Sequence, residues 1–282
     1  MNYGEWLRQA ASRIDRLDAR LLLEEVAGLS HAAIVADPGR LLDAAALSRL
    51  DALVARRAAG EPLAYLVGWA EFRGLRLAVS PAVLVPRPET EELVGRVLGL
   101  VDNFIKNRPD AAPAVLDLGT GSGAIPLAIK HLRPAWRVFA SDVSAEALAV
   151  ARGNARRLGL AVEFFESDWC GNLPSNLVVD CVVSNPPYVA AGDPHLQGDG
   201  LRFEPQIALT DFADGLSCIR RIVAGVGRIL RPGGWLLLEH GYDQSEAVRA
   251  LLTQADFGDV QSWRDLSGIQ RMTGGRLKGK DN

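Results

Sequence analysis

Apolar residues recur at helical spacing through the first 70 residues of the chain, without the alternation typical of strands. Residues 17–27 form one such segment, and Gly28 follows it as a natural helix end. Asp43 precedes a second segment, 44–59, and its carboxylate can cap the free N–H groups at a helix start. The pattern predicts a small helical bundle over residues 1–70, either a stabilising appendage or a surface that docks a macromolecular substrate.

The apolar pattern changes after this bundle. Residues 71–88 are strand-like between prolines, with Val83–Val85 as their last apolar run, which favours an extended linker or hairpin. A helical segment follows at 89–105, and Pro88 suits its first turn because the N–H that proline lacks has no partner there. We expect the linker to join the bundle to a second domain over residues 89–282.

The second domain alternates short apolar strands with amphipathic helices, as in an open α/β sheet. The predicted strands lie at 114–118, 137–142, 162–166, 177–184 and 235–239. The predicted helices between them lie at 125–132, 145–158 and 216–230. A helix at 245–255 and two strands near 259–264 and 270–277 complete the pattern.

Composition excludes several classes of protein. Hydrophobic residues make up 48% and charged residues 23%, an ordinary globular mixture. No apolar run reaches the roughly 18 residues of a membrane helix, and the N-terminus lacks the layout of a signal peptide, so we expect a cytoplasmic protein. Three cysteines and four histidines show no metal-ligand spacing, so no metal is expected. The net charge of −3 argues against a nucleic-acid partner.

A glycine loop follows the first strand of the α/β domain. Its spacing is Gly119-x-Gly121-x-Gly123, whereas dinucleotide-binding loops carry Gly-x-Gly-x-x-Gly. Asp117 lies two residues before the first glycine, where its carboxylate would repel a pyrophosphate. S-adenosylmethionine carries an ammonium and a sulfonium that suit this carboxylate, and its own carboxylate can use the free amides at the next helix start. The loop therefore favours S-adenosylmethionine over a nicotinamide cofactor.

Acidic residues at the ends of the next two strands extend this site. Asp142 ends the second strand, where a carboxylate can accept hydrogen bonds from both ribose hydroxyls, as it also does in NAD-binding proteins. Asp168 and Trp169 follow the third strand. They can offer a hydrogen-bonding carboxylate and a flat apolar surface to the adenine, although Trp169 could equally be a core aromatic.

The tetrapeptide Asn185-Pro186-Pro187-Tyr188 directly follows the fourth strand. Two prolines could simply end that strand, but the tetrad lies where open α/β sheets bind ligands. The Asn185 side-chain oxygen and the Pro186 carbonyl can each accept one N–H of a planar nitrogen and so hold its lone pair toward a methyl donor. Tyr188 offers a ring to lie against the planar group. We expect Asn185, Pro186 and Tyr188 to be the catalytic residues of a methyltransferase that acts on an amide or an exocyclic amine.

Together these motifs closely resemble the release factor glutamine methyltransferases, which methylate the glutamine of the Gly-Gly-Gln motif in peptide chain release factors and so modulate translation termination. The resemblance covers nearly the whole chain. Its segments are Glu61–Gly68, Val83–Glu91, the glycine loop, Asn185–Tyr188, Phe203-Glu204-Pro205 with Ala208-Leu209, and Asp214-Gly215-Leu216. Thr210-Asp211-Phe212 departs from the short glycine-containing link expected there, which affects loop shape.

The resemblance implies a Rossmann-like class I S-adenosylmethionine-dependent methyltransferase sheet (α/β) with an N-terminal helical bundle. It also implies class 1 release factors as partners and S-adenosylhomocysteine as a product. The residues implied to contact the cofactor are Gly119, Thr120, Gly121, Ser122, Gly123, Asp142, Trp169 and Asn185. Those implied to hold the substrate glutamine are Asn185, Pro186, Pro187 and Tyr188. Arg87 and Glu89 lie in Pro86–Thr90, which looks like the family's signature beside the active site, so they are also expected to bind the substrate.

Two other functions compete with this interpretation. An adenine amino-methyltransferase acting on DNA or RNA could use the same tetrad, but it would need a pocket for a base and a basic track. A non-catalytic S-adenosylmethionine-binding module would not need two hydrogen-bond acceptors directed at the transferred methyl group.

Overall fold

The computed structural model describes residues 1–106, 112–198 and 200–279, and the chain divides into two compact units. The first unit comprises Met1–Trp69 with Gln197–Phe203, and the second comprises Ala70–Leu196 with Glu204–Asn282. None of the helices in the described ranges is both long and apolar enough to span a membrane.

The N-terminal unit is helical, and its helix ends follow the sequence signals. Asp43 accepts a hydrogen bond from the Ala46 amide, and Gly28 ends the second helix in a left-handed conformation, as predicted. Trp6, Leu22 and Leu50 are buried in its core. Its helices are α1 (Tyr3–Ala10), α2 (Arg16–Ala27), α3 (His31–Ala36), α4 (Ala44–Ala58) and α5 (Leu63–Val67).

The predicted extended segment forms strands only in its first part. A two-stranded sheet pairs β1 (Trp69–Phe72) with β2 (Leu75–Ala78). Val83–Val85, the last apolar run of this segment, are not part of a strand, and the Val85 N–H donates to the Glu204 carboxylate at 3.0 Å.

The second unit contains a seven-stranded sheet in the order β5-β4-β3-β6-β7-β9-β8. The first five strands in this order are parallel, and the sixth runs antiparallel to both of its neighbours, which confirms the predicted α/β class. The strands are β3 (Ala114–Leu118), β4 (Arg137–Asp142), β5 (Glu163–Glu166), β6 (Val179–Ser184), β7 (Leu230–Glu239), β8 (Phe257–Arg264) and β9 (Gln270–Leu277). The helices are α6 (Pro88–Ile105), α7 (Ala124–Leu132), α8 (Ala145–Leu158), α9 (Ser217–Val226) and α10 (Ser245–Gln254).

Strand β7 is longer than the predicted 235–239, and α9 is shorter than the predicted 216–230. Strand β7 pairs with β6 at Leu230 and again at Trp235, with a bulge between the two positions. A Cβ on Gly234 would lie 2.7 Å from the Asp180 carbonyl oxygen, so the backbones approach too closely there for any larger residue. The Pro-Gly-Gly turn is thus a bulge inside a strand, which a prediction based on breaker residues treats as a loop.

Both faces of the sheet are covered by apolar side chains. Helices α6, α7 and α8 pack on one face around Leu93, Leu127 and Ala155, and α9 and α10 pack on the other. Because β3 to β7 run parallel, the segments that follow their carboxyl ends meet at one edge of the sheet. This edge holds the glycine loop, Asp142 and the Asn-Pro-Pro-Tyr tetrad.

Candidate active site

The glycine loop connects β3 to α7 through three residues in left-handed conformations. Gly119, Gly121 and Gly123 have φ angles of 75°, 53° and 84°. A Cβ on Gly119 would lie 3.3 Å from the Trp169 ring, and one on Gly123 would lie 3.0 Å from Leu127. Glycine is therefore needed both for the turn and for close packing. Gly119 and Gly121 line a cavity, whereas Gly123 packs α7 against α8.

Asp142 fixes the loop from the end of β4. Its carboxylate accepts hydrogen bonds from the Gly121 amide at 2.8 Å and the Ser144 amide at 3.0 Å. Burial raises the pKa of Asp142, and these backbone hydrogen bonds oppose that rise. Asp142 also lines the cavity, so its carboxylate can accept further hydrogen bonds from a ligand.

Three buried side chains around this loop leave polar atoms without hydrogen-bond partners among the described residues. They are both carboxylate oxygens of Asp117, the Thr120 hydroxyl and the Ser141 hydroxyl. Asp117 is 1% exposed, and burial raises its pKa to about 7, although the nearby Thr120 hydroxyl partly offsets this rise. A buried carboxylate that no well-formed hydrogen bond stabilises is costly. Since Asp117 lies at the end of β3 next to the cavity-lining Gly119 and Thr120, this group fits a cationic ligand such as S-adenosylmethionine.

Asp168 and Trp169 follow β5, and both line the same cavity. The Trp169 ring lies over Gly119, and the residue adopts a left-handed backbone conformation with φ of 49°. The Asp168 carboxylate is half exposed and forms an ion pair with Arg221. Trp169 thus presents its ring beside the glycine loop, and its contact with adenine stays a prediction, whereas the Asp168 carboxylate is ion-paired with Arg221.

The tetrad follows β6, the strand next to β3. Ser184 donates a hydrogen bond to the Leu118 carbonyl at 2.6 Å, which ties the end of β6 to the start of the glycine loop. Asn185 and Pro187 line the cavity, while Pro186 is buried. Among the described residues, none donates a hydrogen bond to the Asn185 Oδ1 atom or the Pro186 carbonyl oxygen. Neither predicted acceptor is thus used by a described residue, but only Asn185 lines the cavity, and the role of the Pro186 carbonyl stays a prediction.

The amide nitrogen of Asn185 belongs to a short chain of hydrogen bonds. Asn185 Nδ2 donates to Thr90 Oγ1 at 3.1 Å, and the Thr90 hydroxyl donates to Glu239 Oε2 at 2.8 Å. The Tyr188 hydroxyl reaches Glu239 Oε1 at 3.4 Å. Burial raises the pKa of Glu239 to about 7 and also raises the pKa of Tyr188. Tyr188 and Pro186 lie outside the cavity wall, so the role of the Tyr188 ring stays a prediction.

Arg87, at the start of α6, is held by a buried carboxylate. Glu204 accepts hydrogen bonds from the Arg87 guanidinium at 2.5 Å and from the Val85 amide at 3.0 Å. Arg87 lines the cavity, but Glu89 does not, and its charge instead raises the pKa of Glu239. Glu204 thus fixes the segment before α6 at the cavity.

The backbone just after the tetrad is fixed by Gln244 and Gly215. Gln244 Nε2 donates to the Tyr188 carbonyl at 3.0 Å. A Cβ on Gly215, whose φ is 82°, would lie 2.6 Å from that carbonyl oxygen. Phe212, in the segment that departs from the expected glycine-containing link, also has a positive φ of 57° and lines the cavity.

One cavity of about 420 Å³ brings most of the predicted residues together. We call its glycine-loop side, together with the buried neighbours Asp117 and Ser141, the cofactor wall. Its other side is the tetrad wall, formed by Arg87, Thr90, Asn185 and Pro187 together with the buried Glu204 and Glu239 that are hydrogen-bonded to them. The predicted site residues that line the cavity are Gly119, Thr120, Gly121, Ser122, Asp142, Asp168, Trp169, Asn185, Pro187 and Arg87. Those outside its lining are Asp117, Gly123, Pro186, Tyr188 and Glu89.

Three polar residues at this site were not assigned roles from the sequence. Thr90 and Glu204 lie within segments that carry the family resemblance, so that resemblance already pointed to them. Glu239 ends the apolar run of the strand beside β6, and an acidic residue at the carboxyl end of a buried parallel strand is a usable signal.

Solved structures with this fold include methyltransferases. A methyltransferase from Pyrococcus furiosus is 20% identical with a TM-score of 0.52, over 80% of this chain and 98% of that chain. The hMettl16 catalytic domain, solved with the MAT2A 3′UTR hairpin 6, is 16% identical with a TM-score of 0.58, over 82% and 84% of the two chains. Residues 99–197 match the methyltransferase small domain family. The chain thus has the fold of class I methyltransferases, with the glycine loop and the tetrad at one edge of its sheet.

Curated relatives are similar along nearly the whole length. Release factor glutamine methyltransferases of Burkholderia pseudomallei and Neisseria gonorrhoeae are 52% and 45% identical to this chain. The first alignment covers 95% of this chain and 94% of the relative, and the second covers 98% of each. Residues 4–68 also match the PrmC N-terminal domain family. The chain belongs to the release factor glutamine methyltransferase family.

Proposed function

We propose that this protein transfers a methyl group from S-adenosylmethionine to the side-chain amide nitrogen of the glutamine in the Gly-Gly-Gln motif of class 1 peptide chain release factors. The observation that carries this proposal is Asn185, the first residue of the tetrad, which lines the same cavity as the glycine loop while its amide nitrogen is hydrogen-bonded to Thr90. S-adenosylmethionine, when bound, would supply a methyl group on a positively charged sulfur and leave S-adenosylhomocysteine, while the amide nitrogen would release one proton to water.

The tetrad wall is suited to activate a glutamine amide. The amide nitrogen is a poor nucleophile because its lone pair is delocalised into the carbonyl. Acceptors at Asn185 and Pro186 can hold its two N–H bonds and stabilise positive charge as it develops on the nitrogen. Pro186 and Pro187 stiffen the backbone that presents the carbonyl, so little ordering remains to be done on binding. Much of the rate then comes from orientation of the nitrogen.

The cofactor wall supplies binding and orientation. The unpartnered Asp117 carboxylate offers a negative charge to the methionine ammonium, directly or through water. Asp142 accepts the ribose hydroxyls, and Trp169 offers its ring to the adenine. These residue types can hold the cofactor without a metal ion.

The remaining parts of the proposal concern the partner and its location. The N-terminal helical unit, which matches the PrmC N-terminal domain family, is proposed to dock the release factor. Translation takes place in the cytoplasm, so that is where the protein is expected to act. The relatives at 45–52% identity do not favour methylation of adenine in nucleic acid, and the RNA-bound hMettl16 domain is similar in fold alone.

A labelling experiment tests this function. The protein is incubated with tritiated S-adenosylmethionine and, in separate reactions, a class 1 release factor, the same factor with its Gly-Gly-Gln glutamine replaced by alanine, and adenine-containing DNA or RNA. We expect label on the unmodified release factor alone, with peptide mass spectrometry locating one methyl group on that glutamine. Label on nucleic acid, or equal label on both release factors, would contradict the proposal.

A further inference from the structure

Beneath the tetrad wall, three side chains from different elements are joined by hydrogen bonds. Asn185 follows β6, Thr90 lies in the first turn of α6, and Glu239 ends β7. Thr90 is 4% exposed and Glu239 is 1% exposed, so the two residues form a buried connection. Asn185 alone carries the proposed chemistry, and the other two residues have no role in it.

The direction of these hydrogen bonds follows from donor and acceptor chemistry. An ionised carboxylate can only accept, so the single proton of the Thr90 hydroxyl must point to Glu239. The Thr90 oxygen is then available only as an acceptor toward Asn185. It pairs well with the Asn185 NH₂ group, but a flipped amide would place two acceptors against each other at about 3.1 Å. The amide oxygen must therefore lie at the opposite end, away from Thr90.

We propose that Thr90 and Glu239 are positioning residues that hold the Asn185 side chain in the one orientation that presents its oxygen to the substrate amide. This inference rests on the proposed function, because it assigns the oxygen of Asn185 to the substrate N–H. A flipped Asn185 would present NH₂ to the NH₂ of the substrate, and donors would then face each other. Flipping would also break the hydrogen bond between Asn185 and Thr90, so this bond holds the amide orientation before any substrate binds.

Protonation of Glu239 removes this directionality. A protonated carboxyl group can donate to Thr90, whose hydroxyl is then free to donate to Asn185 Oδ1. Burial places the pKa of Glu239 near 7, and the groups that act on it electrostatically are Glu89 on α6, Tyr188 after β6, and Arg271 on β9. Turnover at saturating cofactor should therefore fall as the pH falls through this range. In the Glu239→Gln variant, the fall in turnover that is caused by protonation of Glu239 should disappear. A pH dependence caused by Asp117 should remain.

Matched substitutions at residue 90 test the proposal. Thr90→Val keeps the shape but removes the hydroxyl, and we expect kcat for the release factor to fall by about tenfold or more with little change in KM for S-adenosylmethionine. Thr90→Ser keeps the hydroxyl, so kcat should stay within about threefold of wild type. Thr253→Val, an identical change at an exposed threonine of α10, controls for a general effect of the substitution. Wild-type kcat in Thr90→Val, or an equal loss in Thr90→Ser, would overturn the proposal.

A readout without turnover separates this proposal from the proposed function. The ¹⁵N side-chain resonance of Asn185, assigned with the Asn185→Ser variant, should shift in Thr90→Val, stay near its wild-type position in Thr90→Ser, and titrate with Glu239 in the wild type. If no release factor is methylated but this pattern holds, the proposed substrate is wrong and the orientation of Asn185 still stands. If methylation occurs but the Asn185 resonance neither shifts in Thr90→Val nor titrates with Glu239, the positioning proposal is wrong.

Discussion

On the cofactor wall, buried polar atoms are left without partners, whereas on the tetrad wall they are bonded to one another. Asp117 and Ser141 have no hydrogen-bond partner among the described residues for their buried side-chain oxygens. Thr90, Glu239 and Glu204 are equally buried but form hydrogen bonds at 2.5–3.0 Å. We therefore expect the cofactor wall to gain its missing interactions from a ligand, whereas the tetrad wall is already hydrogen-bonded without one.

This difference matches what each wall is proposed to do. Buried polar groups without partners favour binding of a charged cofactor, because the cost of keeping them from water is offset only when the cofactor is bound. Activating a weak nucleophile benefits from acceptors that need no rearrangement when charge develops. Substitutions on the two walls should consequently separate binding from turnover.

The largest effect is expected from Asn185→Ala on the tetrad wall. The Asn185 oxygen is proposed to accept a substrate N–H and so to stabilise the charge that develops on the nitrogen. Loss of this acceptor should lower the methylation rate by roughly 10³-fold. Cofactor affinity should change by less than about tenfold, since the cofactor wall is intact. Single-turnover kinetics and calorimetric titration measure the two quantities. Asn103→Ala, at an exposed position of α6, is the control, and a wild-type rate in Asn185→Ala would remove Asn185 from the mechanism.

Asp117→Asn on the cofactor wall should weaken S-adenosylmethionine binding by about 10- to 100-fold, because a charge opposite the ammonium is lost. The same change should stabilise the ligand-free protein. The folded pKa of about 7 lies above the ordinary value of 3.8, so the unfolded chain loses its proton first as pH rises between these values. Wild-type stability therefore falls over that range and stays low above it.

Denaturant unfolding with and without cofactor checks both parts of this prediction. At about pH 8 the variant should be more stable than the wild type by on the order of 2 kcal/mol, and the difference should shrink toward about pH 4. Asp51→Asn, an exposed carboxylate of α4, provides the control. Unchanged affinity together with unchanged stability would mean that Asp117 is not an unpartnered anion in solution.

Glu204→Gln should have an intermediate effect. Glutamine can still accept the Val85 N–H, but it carries no charge opposite Arg87. We expect the methylation rate to fall about tenfold, because the Arg87 side chain is held less firmly at the cavity. The free energy of unfolding should fall by roughly 2 kcal/mol. Asp102→Asn, which breaks the more exposed Asp102–Arg133 pair, should change neither quantity measurably. Equal effects of the two substitutions in urea unfolding would contradict a special role for Glu204.

The smallest effect is expected from Asp168→Asn. Its carboxylate is half exposed and already paired with Arg221, so cofactor affinity should change by less than about threefold. Calorimetric titration of S-adenosylmethionine measures this. A loss greater than about tenfold would instead support the interpretation from the sequence, in which Asp168 binds the adenine and gives up Arg221 when the cofactor enters.

Much of the fold and part of the site could be predicted because their signals are local. The strand before the glycine loop, the helix ended by Gly159 and the tetrad after β6 each depend on neighbouring residues, and the structure confirms all three. The bulge in β7 could not be predicted, because it depends on how closely Gly234 approaches a different strand. The pairing of Asp168 with Arg221 could not be predicted either, because it joins residues 53 positions apart in the sequence.

By itself, the sequence determined the alternation of strands and helices, the glycine loop and the tetrad, and through them the membership of a methyltransferase family. Only the tertiary structure decided which polar atoms have partners. Thr90 and Glu239 are 149 positions apart, and Arg87 and Glu204 are 117 apart. Hydrogen bonds act over about 3 Å, so packing of α6 against the sheet, and not spacing along the chain, brings Thr90 to Glu239 and Asn185.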